Sequence, residues 1–74
     1  MHEVPFSLLH PSPPAHIVRG VIDLLVRKED GAVAVVEFKT GAPRRHHTRQ
    51  LELYVEAARA LHPGTHVEGV LLYV

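Results

Sequence analysis

The sequence predicts an α/β fold: a mixed, mainly antiparallel sheet with at least one helix packed on it, in the order β, β, β, α, β. Three observations carry this expectation. Runs rich in Val, Ile and Leu lie at residues 16–27, 32–39 and 66–74, each bounded by turn residues. Leu51, Tyr54, Val55, Ala58 and Leu61 recur at helical spacing before the last run. Glu29-Asp30-Gly31 separates the first two runs, with glycine in the place where a three-residue hairpin loop needs a left-handed backbone.

The elements follow in order. "EVPFSLL" is a short apolar segment broken by Pro5, which lacks a ladder donor and so suits an edge or irregular strand. "HPSPP", residues 10–14, is a connector, because its prolines fix the backbone and remove donors. Residues 16–27 form the second strand. A two-residue Asp30-Gly31 loop would set residue 23 opposite residue 38. The three-residue loop instead pairs Lys28 with Ala32 and sets Asp23 opposite Glu37, and Gly31 favours it. Thr40-Gly41-Ala42-Pro43 ends the returning strand. A helix runs from Arg45 or Thr48 to Leu61 and is stopped by Pro63-Gly64. Both termini fall on strands, so the chain reads as one domain, residues 1–74, and as part of something larger.

A chain of 74 residues buries only about 60% of the surface that its unfolded form exposes. It has no cysteine, which excludes disulfide staples, thiolate zinc sites and iron–sulfur clusters. No apolar run reaches the ~20 residues of a membrane helix; a soluble intracellular protein without a membrane role is the expectation. Eight basic and eight acidic residues give zero net charge with neutral histidines. The local distribution is uneven: "PRRHHTR", residues 43–49, has three arginines, two histidines and no acid. Such a patch suits phosphate contact and equally suits a solvated helix entrance.

Three charged side chains sit inside the apolar runs. Along a strand, side chains alternate, so Glu37 and Lys39 share a face. With Asp23 opposite Glu37, two carboxylates lie ~5 Å apart at Cβ and repel. A hard divalent cation with oxygen ligands, Mg²⁺ above all, relieves that repulsion. Lys39 on the same face would hold a nucleophilic water or offset charge on a phosphate. Gln50 and Tyr54, four apart, share one helix face. The plain structural reading is a surface strand pair with an incidental Glu37–Lys39 contact, a core Tyr54 and a surface Gln50.

The motifs Gly20-Val21-Ile22-Asp23, Glu37-Phe38-Lys39-Thr40-Gly41 and Gln50 with Tyr54 in "QLELY" resemble those of the PD-(D/E)XK nuclease superfamily. Within it, the nuclease domains of RecB- and AddA-type helicase–nucleases are the nearest in pattern, and the lead-in "EVPFSL" is similar to the AddA type. The resemblance implies a restriction-endonuclease-like fold and Mg²⁺-dependent DNA hydrolysis, with Mn²⁺ as a substitute. It implies Asp23 and Glu37 as metal ligands, with the Phe38 carbonyl, Lys39 as the residue that positions water, and Gln50 and Tyr54 as the QxxxY element. It further implies exonuclease action in recombinational repair, a helicase domain or subunit as partner, and a bacterial, nucleoid-associated cytoplasmic setting. Arg44, Arg45, His47 and Arg49 would meet DNA. Three positions depart from the pattern. Ile22 stands where proline is usual, and Glu37 where aspartate is. The upstream helix with a further metal ligand has no room here, and His2 and Glu3 substitute for it poorly.

Seven histidines raise the question of zinc. His46 and His47 are adjacent and cannot easily face one ion, while Pro63-Gly64 breaks the helix that would align His62 and His66; no zinc site is expected. Two function classes therefore stand: a metal-dependent deoxyribonuclease, and an inactive nuclease-like module that binds DNA or a protein. Open sheet edges make self-association a third property to test.

Overall fold

Backbone donors in an apolar strand need partners, and here the strands supply them to one another. The computed structural model describes residues 1–11 and 13–74; Ser12 of the expected connector lies outside the described residues. The strands β1 (His2–His10), β2 (His16–Arg27), β3 (Val33–Lys39) and β4 (Val67–Tyr73) form one sheet in the order β1-β2-β3-β4. The β1–β2 and β2–β3 pairs are antiparallel and β3–β4 is parallel. A parallel return needs a crossover, which the helix α1 (Arg45–Leu61) supplies. This is the mixed, mainly antiparallel α/β architecture that the sequence predicts, compatible with a restriction-endonuclease-like fold.

The hairpin register follows from three residues. The Lys28 N–H donates to the Ala32 carbonyl at 2.8 Å and the Gly31 N–H to the Lys28 carbonyl at 3.0 Å. Gly31 has φ +89°, the left-handed region in which a side chain is penalised. The Asp30 carboxylate accepts the Ala32 N–H at 2.9 Å and locks the turn. Leu24 then pairs with Val36 and Leu25 with Val35, so Asp23 and Glu37 are next in line, as expected.

The core lies between the sheet and α1. It holds Phe6, Ile22, Leu25, Val33, Val35, Tyr54, Ala57, Ala58 and Val67. Small residues set the spacing. A Cβ on Gly20 would come within 2.8 Å of the Phe6 ring and 3.1 Å of the Tyr54 ring, so glycine is what lets the aromatic pair lie over β2. Gly69 does the same for Leu51 and Val55, whose side chains a Cβ there would meet at 2.8–2.9 Å.

Two expectations need correction. Leu61, assigned to the apolar stripe, ends the helix 53% exposed; Ala57 and Ala58 make the close contact instead. The second strand is also not a regular one. Ile22 and Leu25 both enter the core although they are an odd number of residues apart, which regular alternation forbids. The strand therefore changes facing across Asp23 and Leu24. On the neighbouring strand Glu3 has φ +50°, and the β1–β2 register passes from Val4–Ile22 to His2–Leu24 without a Glu3–Asp23 pair.

Candidate active site

Where β2 changes facing, its ladder with β3 stops at Leu24–Val36, and two carboxylates take over. The Asp23 N–H donates to Glu37 Oε1 at 3.1 Å. The Phe38 N–H donates to Asp23 Oδ2 at 3.1 Å. Each acid thus caps a backbone donor of the opposite strand, and this reciprocal clasp leaves the second oxygen of each carboxylate outside the exchange. The hairpin register sets the two acids opposite each other, and the clasp replaces the ladder there.

Their environments differ. Glu37 is only 2% exposed, and burial, with repulsion from Asp23 adding to it, pushes its pKa up to about 6. Asp23 is half-buried. Lys39, half-buried on the same face as Glu37, donates to Gln50 Oε1. The Gln50 Nε2 donates to the Tyr54 hydroxyl at 3.0 Å. Because an ammonium only donates, Lys39 fixes the amide's orientation: carbonyl toward Lys39, NH₂ toward Tyr54. Tyr54 is buried, its ring edge-on to Phe6 at 5.2 Å between centroids. Burial raises its phenol pKa, and the Glu37 and Asp23 charges act in the same direction, so the hydroxyl stays protonated at neutral pH.

The structure thus joins Asp23 to Glu37, and Lys39 to Gln50 and through it to Tyr54, near the end of β3 and the first turns of α1. Phe38 faces away from Glu37 with its ring 44% exposed, while its N–H stays in the clasp. Arg44, Arg45 and Arg49 are exposed at the start of α1. His47 departs from expectation. It is 7% exposed, its Nδ1 lies 3.2 Å from the Tyr73 hydroxyl, and burial lowers its pKa. It sits under the helix rather than among the exposed basic residues of the patch. It braces α1 against β4 beside Lys39, which is Tyr73's partner in the β3–β4 register.

Sequence reasoning did not single out Phe6 or Tyr73. The signal for Tyr73 was faint: His47, Gln50, Tyr54 and Ala58 fall on one helical face, and the first of these needs a buried partner. A hollow of about 510 Å³ lies over β1 and β2, lined by Phe6, Arg19 and Gly20 among others, rather than at the carboxylates. Asp23, Glu37 and Lys39 do not line this hollow.

The profile of the PD-(D/E)XK nuclease superfamily matches residues 2–74. Endonuclease NucS of Thermococcus kodakarensis is 40% identical over 53 residues, which are 72% of this chain and 21% of that protein. The chain therefore spans about a fifth of the length of that relative. No solved structure matches the chain.

Proposed function

The chain belongs to the PD-(D/E)XK nuclease superfamily, and from that premise we propose that it hydrolyses DNA phosphodiesters with a divalent cation at Asp23 and Glu37. The observation that carries this reading is the clasp of Asp23 and Glu37 beside the Lys39–Gln50–Tyr54 chain. The donor set fits a hard ion. Two carboxylates converge, one of them almost fully buried and pushed toward its neutral form by burial, and each keeps an oxygen outside the clasp. Mg²⁺ takes such ligands with water and phosphate completing the shell, and Mn²⁺ accepts the same set. The Phe38 carbonyl is a further candidate ligand.

When bound, the ion supplies a Lewis acid for charge that develops on the phosphate. The chain's own residues supply the rest. Glu37 must be ionised to hold a cation, so metal binding competes with its proton. Lys39, anchored by Gln50, keeps N–H donors with which to hold a water for in-line attack or to meet a phosphate oxygen. Tyr54, kept protonated, locks the Gln50 amide that aims Lys39. Arg44, Arg45 and Arg49 contact the backbone without reading sequence.

The QxxxY element supports an exonuclease of RecB/AddA type, serving recombinational repair beside a helicase motor. The name of the Thermococcus kodakarensis relative favours endonuclease action instead. Linear and covalently closed circular DNA, incubated with Mg²⁺ or Mn²⁺, separate these two. Cleavage of both forms supports an endonuclease, and cleavage of linear DNA alone an exonuclease. In either case Lys39→Ala should lower the rate by roughly 10²–10³-fold, the scale set by losing one charge-stabilising donor. Cleavage undiminished in Lys39→Ala rejects the role given to Lys39, and DNA binding with no hydrolysis in either ion rejects the catalytic reading and leaves a nuclease-like binding module.

A further inference from the structure

Lys39 is held at its tip by Gln50, but its backbone is held by β4. The Lys39 carbonyl accepts the Val74 N–H at 2.9 Å, and Tyr73 is its partner in the parallel register. Register partners on adjacent strands point to the same face, so the Lys39 and Tyr73 side chains run side by side toward α1. There the Tyr73 hydroxyl lies 3.2 Å from His47 Nδ1, with the ring centroids 5.7 Å apart.

The two contacts land one turn apart on the same helix. His47 and Gln50 are three residues apart and share a face. Four side chains thus close a frame: Lys39 beside Tyr73 in the sheet, His47 beside Gln50 on the helix, and a hydrogen bond along each open side. One bond, from Lys39 to Gln50, fixes a distance but leaves the helix free to slide along the sheet. The second bond removes that freedom. The start of α1 needs such a tie, because Arg44 makes no side-chain cap hydrogen bond and no acid lies in the first turn. In that turn His47 is buried, whereas Arg44, Arg45, His46 and Arg49 around it are exposed.

We propose that His47 and Tyr73 are positioning residues for hydrolysis, their tie setting where Lys39 and the Gln50 amide stand relative to the Asp23–Glu37 pair. The inference rests on the nuclease reading above. Neither side chain joins the carboxylate pair; both act through Lys39 and Gln50. A misplacement of about 1 Å at a catalytic group can cost up to ~10²-fold in rate, so one hydrogen bond acts here on rate more than on stability.

The test pairs kinetics with a spectroscopic signature. Gln50 is the only glutamine and the chain has no asparagine, so its amide gives the one carboxamide NH₂ pair in a ¹⁵N correlation spectrum. Tyr73→Phe keeps the ring and removes the hydroxyl. It should shift that pair and lower kcat for Mg²⁺-dependent cleavage of DNA roughly tenfold, with a smaller change in KM. His47→Leu should do the same, and the double variant should lose no more than either alone, because both delete one bond. His47→Asn, whose amide again reaches the hydroxyl, should recover most of the rate. Metal-free melts identify any His47 variant that fails to fold, and Tyr73→Phe, which removes one oxygen from a residue 38% exposed, then decides alone. An unmoved Gln50 pair in Tyr73→Phe, a kcat equal to wild type, or losses that add in the double variant would each overturn the tie. A raised KM with kcat unchanged would also overturn it, assigning the pair to the arginines of the helix start. A wild type that cleaves nothing rejects the nuclease reading by itself, and the Gln50 pair then still decides whether the tie holds the partner of Lys39 in place.

Discussion

Glu37 concentrates the conflict between stability and chemistry in one side chain. Burial and the neighbouring Asp23 raise its pKa from the ordinary 4.5 to about 6. For an acid raised on folding, the folded state holds the proton over a window where the unfolded chain has lost it. Stability is therefore fully present below 4.5 and is lost as pH rises through about 6. The loss amounts to ~2 kcal/mol. Glu37→Gln removes the titration while keeping an oxygen to accept the Asp23 N–H. Melts recorded from pH 4 to 8 in chelator should show the wild type falling relative to the variant across this window, with the variant more stable by about 1–2 kcal/mol at the alkaline end. Parallel profiles would mean that Glu37 is not held near-neutral by the fold. The same substitution should abolish cleavage, because a neutral amide cannot share the charge of a cation with Asp23. The type of this residue and its partner were readable from strand alternation and the Gly31 turn. Its burial was not, because the bend of β2 at Asp23 depends on packing that alternation cannot express.

At the scale of elements, α1 begins badly for a helix. Arg44 is the N-cap, with φ −135° and ψ 151° and no side-chain cap hydrogen bond, and no acid lies in the first turn. Cations at the positive end of the helix dipole are unfavourable, so this entrance sacrifices stability for positive charge. Arg44→Asp should cap the Asp-ready geometry and raise stability by ~1 kcal/mol. It should also weaken DNA binding and flatten its salt dependence by about one phosphate contact. Chemical denaturation and binding measured between 50 and 200 mM salt, roughly the range in which counterion release is visible, check both halves. A variant that is more stable and binds DNA unchanged would show that the arginine does not meet the backbone. The helix itself was legible because Leu51, Tyr54, Val55 and Ala58 keep a 3.6-residue period. Leu61 kept the period yet stayed exposed, and His47, counted among the basic residues, is buried against Tyr73. Periodicity fixes a face; it does not say how far the sheet beneath extends, nor which polar residue finds a partner on another strand.

At the scale of the whole molecule, the described residues form one sheet that carries one helix, and the assembly of the two is flat. Its extents are 35 × 32 × 17 Å with a radius of gyration of 12.5 Å, against roughly 11 Å for a compact chain of this length. Leu9, Ile17, Val21, Val26, Phe38 and Leu72 are all exposed, so much apolar surface stays open to solvent and the stability margin is narrow. The order of elements and the hairpin register could be read from sequence because they rest on neighbours in the chain; which apolar side chains stay exposed could not, since it depends on what the fold leaves uncovered. A narrow margin makes the melting temperature a sensitive reporter of the proposed metal site. A small domain shifts its Tm by about 4–8 °C per kcal/mol. An ion at ten times its Kd stabilises by ~1.4 kcal/mol, so Mg²⁺ or Mn²⁺ should raise the wild-type Tm by roughly 5–10 °C. The shift should grow as pH rises above about 6, where Glu37 no longer holds its proton. Asp23→Asn and Glu37→Gln should lose it, while Lys39→Ala should keep it, because Lys39 acts on water and phosphate rather than on the cation. A shift that persists in Asp23→Asn would place the ion elsewhere, and a shift lost in Lys39→Ala would make the lysine part of the ion's own support.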